Sequence, residues 1–206
     1  QEVWAGTLIV LSLAAHALGS RMPGWRVVAV AAGTLALLLR ELALPYCLVA
    51  GGVALAGRRW REAAGWIAGI GAFAVLVIYH VALVHAHQPA GAAAGGAGLA
   101  QWLRFGGLDF VLLTLRMNSL LFAASAVVLW LYLLGSLVGL SQSANETSRV
   151  ACLAAVFYVA AFAVVGRTEN FYWGLLLAPL LPSGLAAAPA ALQKLWNSAL
   201  GDAAGE

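Results

Sequence analysis

The 206-residue chain is 63% hydrophobic and only 9% charged, with a formal net charge of +3 at pH 7. Soluble globular domains carry about 25% charged residues, so this composition excludes an ordinary soluble domain and predicts an integral membrane protein. The basic residues are scattered rather than arranged in a stripe, which argues against a nucleic-acid partner. Long apolar runs favour helices as the spanning elements.

Seven apolar runs predict membrane helices, at residues 3–18, 27–39, 45–56, 63–83, 119–140, 150–165 and 171–187. Residues 99–118 mix aromatic and charged side chains around a pair of glycines, which is typical of an interfacial helix. The expected fold is therefore all-α, a polytopic transmembrane helical bundle of about seven membrane helices. Residues 1–187 would form this domain, and residues 188–206 a cytoplasmic tail.

The start of the chain is interpreted as a break within a longer polypeptide. It begins at Gln1 and has neither a signal peptide nor a charged segment ahead of the first apolar run. We expect the chain to be the C-terminal part of a larger membrane protein. The remainder of the same polypeptide is then an expected partner.

Two adjacent charges, Arg40 and Glu41, interrupt the apolar run at residues 27–56. As a single helix, this run of 30 residues would be about 45 Å long, too long for a hydrocarbon core of about 30 Å. Pro45 would also break such a helix, whereas it suits the first turn of a second one. We therefore predict a hairpin of two short helices with the two charges at its bend. Adjacent residues on a helix point about 100° apart, so the two charges could not simply pair across one face of a helix.

Loop charges support this hairpin and predict its orientation. With the hairpin, one side of the membrane collects seven of the eleven basic residues: Arg21, Arg26, Arg58, Arg59, Arg61, Arg149 and Lys194. Basic loops mark the cytoplasmic side. The expected location is the bacterial inner membrane, with the Arg40 bend and the turn at residues 166–170 on the periplasmic side. The unusual polar residues would then share one face.

Arg40 and Arg167 are the candidate anion-binding residues. Guanidinium groups fork onto phosphate oxygens and stay charged at membrane depth. A second interpretation stays open for both residues, because Glu41 and Glu169 could hold them in structural ion pairs that anchor the topology.

The residues that follow Arg167 are candidates for contact with a sugar. Glu169, Asn170 and Tyr172 place polar groups beside aromatic rings, an arrangement that suits a sugar with one apolar face. The alternative is an aromatic belt at the boundary of a span. A histidine group at residues 80–87 does not have the fixed geometry of a zinc site, so we predict no metal and no cofactor.

Four short motifs occur in a suggestive order: EVWAG at residues 2–6, LRELALPY at 39–46, RRWREA at 58–63 and GRTENFYWG at 166–174. Together they resemble the C-terminal half of a GT-C-type polytopic membrane glycosyltransferase. Such enzymes move a sugar from a polyprenyl-phosphate carrier to an acceptor on the outer face of the membrane. The resemblance implies an inverting transfer, with a membrane lipid and a polyprenyl-phosphate-linked sugar donor as partners.

The resemblance also implies roles for particular residues. Arg40 would help to hold the carrier phosphate, and Glu41, Glu169 and Asn170 would orient the sugar or supporting side chains. The acidic general base of this family lies in an outer loop of the N-terminal half, so its identity here is unknown and none is assigned. A membrane transporter and a non-catalytic membrane scaffold subunit are the alternatives. The absence of an internal repeat argues against transport.

Overall fold

A computed structural model describes residues 1–87, 104–117, 121–142 and 145–203, and within these ranges the protein is helical without any strand. The predicted all-α class is confirmed. Its α-helices are α1 (Glu2–Leu18), α2 (Gly24–Leu39), α3 (Leu44–Ala56), α4 (Trp60–His87), α5 (Gly107–Leu115), α6 (Ala126–Ser141), α7 (Glu146–Val164), α8 (Gly174–Leu177) and α9 (Leu181–Ala203). Two 3₁₀ helices, Glu41–Ala43 and Thr168–Trp173, precede α3 and α8.

Two or three helices of the described residues are long enough to cross a membrane. Among the described residues, α4 and α7 are long and apolar enough to cross a membrane. A third crossing exists if Thr168–Leu177 and Leu181–Leu200, which meet at a bend of 63°, form one broken span. The other apolar helices are shorter. A helix of 16 residues rises only about 24 Å, which is less than a hydrocarbon core of about 30 Å. These long apolar helices indicate a membrane protein, but seven spans are not confirmed.

The predicted hairpin is present in the run at residues 27–56. α2 ends at Leu39, Arg40 is extended with φ −150° and ψ 117°, and α3 begins at Leu44. Pro45 lies in the first turn of α3. Backbone N–H groups in a first turn have no partner within the helix, so the proline costs the helix no hydrogen bond. The chain therefore reverses at Arg40 rather than continuing as one helix.

A chain of buried hydroxyl groups holds α1, α2 and α3 together. The Ser12 hydroxyl donates to the Ala29 carbonyl at 2.6 Å, and the Tyr46 hydroxyl donates to Ser12 at 2.7 Å. Tyr46 also meets the ring of Trp66 edge to face, with the centroids 6.0 Å apart. Both buried hydroxyls have hydrogen-bond partners, which offsets the cost of removing them from water.

The bundle has two ends with different contents. The Arg40 end comprises Glu2, Arg40 and the turn after α7, and the Glu62 end comprises the start of α4 and the start of α7. α7 connects them, because it begins beside Arg59 at the Glu62 end and further along its Tyr158 hydroxyl donates to the Leu42 carbonyl at 2.8 Å. Val164 and the turn at residues 166–170 therefore lie at the Arg40 end.

Several helix boundaries differ from the expected ones. α7 begins at Glu146 rather than at 150, because the Asn145 side chain accepts a hydrogen bond from the Ser148 N–H at 2.7 Å and caps the helix. α6 begins at Ala126 rather than at 119, and residues 119–120 lie outside the described ranges. Of the expected interfacial helix at 99–118, the structure describes α5 and its flanks, and residues 99–103 and 118 lie outside those ranges. α9 continues as helix through the domain boundary drawn at residue 187.

α6 and α9 cross with their backbones in contact at two glycines. A β-carbon added to Gly139 would overlap the carbonyl group of Gly184, and one added to Gly184 would overlap the Ser136 carbonyl. Small residues at a crossing allow membrane helices to approach this closely, and van der Waals contact then holds them together.

Gly139→Ala is therefore expected to lower the free energy of unfolding by about 1–3 kcal/mol, because the added methyl must push the two helices apart. Gly71→Ala is the matched control, since Gly71 lies in a helix with open space around it. Thermal unfolding in detergent would compare the two variants with the wild-type protein. Equal melting temperatures for all three would contradict the close crossing.

Candidate functional site

Arg40 is held by two carboxylates at the bend between α2 and α3. Its Nε lies 2.9 Å from Glu2 Oε1, and its Nη1 lies 3.1 Å from Glu41 Oε1. The ion pair between Arg40 and Glu41, which the sequence left open as the structural alternative, is present. The separation of about 100° expected for adjacent helical residues does not apply, because Arg40 is extended and its side chain can turn to its neighbour. The Arg40 and Glu2 side chains are 18% and 15% exposed. One guanidinium against two carboxylates leaves this triad with a net charge of −1.

The turn after α7 holds the other candidate residues. Arg167 is extended, and its Nη2 lies 2.6 Å from Glu169 Oε1. The Tyr172 hydroxyl donates to Asn170 Oδ1 at 3.2 Å. Glu169 is exposed and Asn170 is half-buried. The structure thus brings the candidates together in three local groups, namely Arg40 with Glu41, Arg167 with Glu169, and Asn170 with Tyr172.

A cavity of about 520 Å³ at the Arg40 end is lined by Arg104, Arg116, Arg167 and Asp109. We call it the arginine cavity. Its lining carries three guanidinium groups and one carboxylate, and Glu169, which pairs with Arg167, reduces the local net charge to +1. Apolar side chains of α5 form much of the remaining wall. Arg40 does not line it. Of the residues selected from the sequence, Arg167 alone lines this cavity.

Backbone contacts explain why these arginines meet. The Gly166 N–H donates to the Arg104 carbonyl at 2.9 Å, which places the segment before α5 against the turn after α7. Arg116 follows the last residue of α5, and its Nη1 donates to the Phe122 carbonyl at 3.5 Å. Residues from three separate parts of the chain therefore build one cationic wall.

Aromatic rings near the arginine cavity fix α5 against α7 and the second 3₁₀ helix. Phe110 meets Phe162 and Trp173 edge to face, with centroid separations of 6.1 and 5.9 Å. Phe162 also contacts Trp173 at 6.0 Å. Such aromatic contacts contribute about 0.5–1.5 kcal/mol each beyond the apolar area that they bury. The elements that carry the arginines are thus supported by a packed apolar layer.

The Glu62 end contains a buried charge network that the sequence analysis did not predict. Glu62 Oε2 lies 3.0 Å from Arg26 Nη1 and 2.7 Å from Arg59 Nε, and its side chain is only 3% exposed. Arg59 Nη2 also pairs with Glu146 Oε1. His16 Nε2 lies 3.6 Å from Glu62 Oε1 and 3.8 Å from Glu146 Oε1. The network joins α1, α2, α4, α7 and the loop before α4.

The charges of this network balance internally. Two arginines face two glutamates, so the network is neutral when His16 is neutral. The Nδ1 of His16 lies 3.1 Å from the Thr147 hydroxyl, which gives the ring a partner on its other side. A buried carboxylate shared by two guanidinium groups suits a structural anchor, because each of its charges has an opposite charge beside it.

The two clusters differ in what they can do chemically. The charges of the network around Glu62 neutralise one another, whereas the arginine cavity has an excess of positive charge next to open volume. An excess of this kind can accept an anion from outside. Comparison of this chain with models of protein families, with curated proteins and with solved structures found no match.

Proposed function

We propose that this chain is part of an integral membrane glycosyltransferase and that the arginine cavity binds the phosphate of its polyprenyl-phosphate sugar donor. The observation that carries the proposal is the meeting of Arg104, Arg116 and Arg167 around one cavity, where three guanidinium groups outnumber the carboxylates of Asp109 and Glu169. Guanidinium groups recognise phosphate oxygens through paired hydrogen bonds. The apolar part of the wall suits a ligand whose phosphate is attached to a lipid.

The proposed reaction transfers the sugar with inversion at its anomeric carbon. An acceptor hydroxyl forms a new bond to that carbon, and the bond from the carbon to the carrier phosphate breaks, with its electron pair leaving on the phosphate oxygen. The hydroxyl proton passes to a general base, which we assign to no residue of this chain. Negative charge grows on the leaving phosphate, so fixed cations beside it lower the barrier.

Arg40 has a different place in this proposal from Arg167. Arg40 faces two carboxylates, Glu2 and Glu41, and this triad has a net negative charge. Arg167 faces one carboxylate, Glu169, and lies beside two further arginines of the cavity. We therefore assign the phosphate first to the arginine cavity, and a direct role for Arg40 stays a prediction. Glu169, Asn170 and Tyr172 follow Arg167 in the chain, and we propose that they contact the sugar.

We assign the Arg40 end to the periplasmic side of a bacterial inner membrane. Arg26, Arg58, Arg59 and Arg61 all line one cavity near Glu62, at the opposite end of the bundle. The rule that basic loops stay in the cytoplasm then directs the Arg40 end outward. The sugar would be transferred on that outer face.

Ligand discrimination by the full-length protein tests the proposal. A short-chain polyprenyl phosphate is expected to raise the melting temperature by several degrees, because a ligand that binds only the folded state stabilises it by mass action. The matching polyprenol without phosphate and inorganic phosphate alone are expected to have much smaller effects. Equal effects of polyprenol and polyprenyl phosphate would contradict a phosphate site.

One observation favours the transporter alternative. Buried ionisable residues within membrane helices often mark ion pathways, and His16 and Glu62 are buried beside each other. Flux measurements in proteoliposomes separate the two proposals. A proton-coupled solute flux that Glu62→Gln abolishes, together with no sugar transfer by the wild-type protein, would favour transport over glycosyl transfer.

A further inference from the structure

A second cationic cavity, of about 750 Å³, lies at the Glu62 end between the start of α2 and the loop before α4. We call it the loop cavity, and its charged lining consists of Arg26, Arg58, Arg59, Arg61 and Glu62. Its lining has four guanidinium groups and one carboxylate, and Glu146, which pairs with Arg59, brings the local net charge to +2. It lies at the opposite end of the bundle from the arginine cavity, so the sugar-transfer proposal does not account for it.

The four arginines fall into two pairs. Arg26 and Arg59 both contact Glu62 Oε2, at 3.0 and 2.7 Å, and are fixed by that carboxylate. Arg58 and Arg61 are exposed, and no ion pair within the described part of the chain engages either of them. The cavity therefore presents two uncompensated cations beside two that are already positioned, which is an arrangement that attracts an anion.

Apolar side chains stand next to these cations. Val27 and Val30 form part of the wall of the loop cavity, and Trp60, which is 64% exposed, forms another part. A free phosphate ion gains nothing from such a wall. An amphipathic ligand gains from both parts, because its headgroup meets the arginines while its chains cover the valines. Exposed tryptophans are also frequent at membrane interfaces, where lipid headgroups and chains meet.

We propose that the loop cavity binds the headgroup phosphate of an anionic glycerophospholipid, through Arg58 and Arg61, with the acyl chains against Val27, Val30 and Trp60. Basic pockets between membrane helices commonly bind such headgroups. The proposal does not depend on the sugar-transfer activity. It requires only that these helices lie in a membrane.

The backbone conformation of Arg58 allows its charge to be removed without an expected loss of stability. Its φ of 55° lies in the left-handed region, which glycine adopts more readily than arginine. Arg58→Gly therefore removes a cation while relieving the backbone, so this variant is expected to melt no lower than the wild-type protein. Arg61→Gln is the second variant, since Arg61 is exposed and makes no ion pair with any described residue.

Native mass spectrometry of the full-length protein in nonionic detergent would count retained lipids after addition of phosphatidylglycerol, phosphatidylcholine or inorganic phosphate. We expect the wild-type protein to bind phosphatidylglycerol at least tenfold more tightly than phosphatidylcholine. Arg58→Gly combined with Arg61→Gln is expected to weaken that binding at least tenfold. Arg21→Gln is the matched control, because Arg21 is exposed but does not line the loop cavity.

Three outcomes would overturn the proposal. The first is unchanged phosphatidylglycerol binding in the double variant. If the double variant fails to fold, unchanged binding in Arg61→Gln alone would have the same meaning. The second is equal retention of phosphatidylcholine, which would indicate chains without headgroup recognition. The third is full displacement of the lipid by millimolar inorganic phosphate, which would identify a free phosphate as the ligand.

Discussion

Replacing Glu62 with alanine is expected to lower the free energy of unfolding by about 2–4 kcal/mol, because two arginines that are only 29% and 19% exposed lose the carboxylate that they share. Glu62 is the carboxylate that Arg26 and Arg59 share, and it also lies 3.6 Å from His16. Without it, two guanidinium groups face each other with only Glu146 to offset them. Glu62→Gln is expected to lose less stability, since the amide oxygen can still accept hydrogen bonds.

Chemical unfolding in mixed micelles, followed by circular dichroism, would measure this loss. Glu41→Ala is the matched control at the other end of the bundle, since Glu41 also pairs with an arginine but is 61% exposed. Exposed ion pairs contribute little, so the control is expected to lose less than about 1 kcal/mol. If both alanine variants lost the same small amount, Glu62 would not hold a buried network.

The second large effect is expected on sugar transfer by the full-length protein. Arg116→Gln combined with Arg167→Gln should lower the rate constant of transfer by a factor of about 10²–10³. Such a loss is typical when a group that stabilises transition-state charge is removed. Both residues line the arginine cavity, and neither belongs to the network around Glu62. Lysine at the same positions should restore part of the rate, because it supplies the charge without the paired hydrogen bonds.

Initial rates with a labelled polyprenyl-phosphate sugar would measure kcat and KM separately. Arg21→Gln is the control, since Arg21 lies in neither cavity. Arg40→Ala belongs in the same experiment, because an unchanged transfer rate in a normally expressed protein would remove Arg40 from the phosphate site. A double glutamine variant with wild-type kcat and KM would contradict the assignment of the phosphate to the arginine cavity.

The hairpin could be predicted because its causes are local. Helix length, the position of Pro45 and the charges of the flanking loops all appear within one short stretch of sequence. The start of α7 could not be obtained from apolar runs, since its first turn is polar. The available signal for this helix start was Asn145, because an asparagine side chain can accept a hydrogen bond from the N–H three residues further on, here that of Ser148.

The two charged clusters could not be predicted because their members are distant in sequence. His16 and Thr147 are in contact although 131 positions separate them. The spacing of Arg59 and Glu62 was a local signal, as residues three apart share a helix face, but it predicts a surface pair rather than a buried one. The arginine cavity depends on the contact between Arg104 and Gly166, which no periodicity reveals.

The lengths of α3 and α4 have a consequence for the surrounding lipid. These helices pack against each other, yet one has 13 residues and the other 28, so they rise about 20 and 42 Å. No bilayer of uniform thickness matches both, and such hydrophobic mismatch is relieved by tilting of the long helix and by local thinning around the short one. A membrane thinned beside the hairpin would bring lipid headgroups inward toward Arg40, so the proposed carrier phosphate would have a shorter path to that end of the bundle.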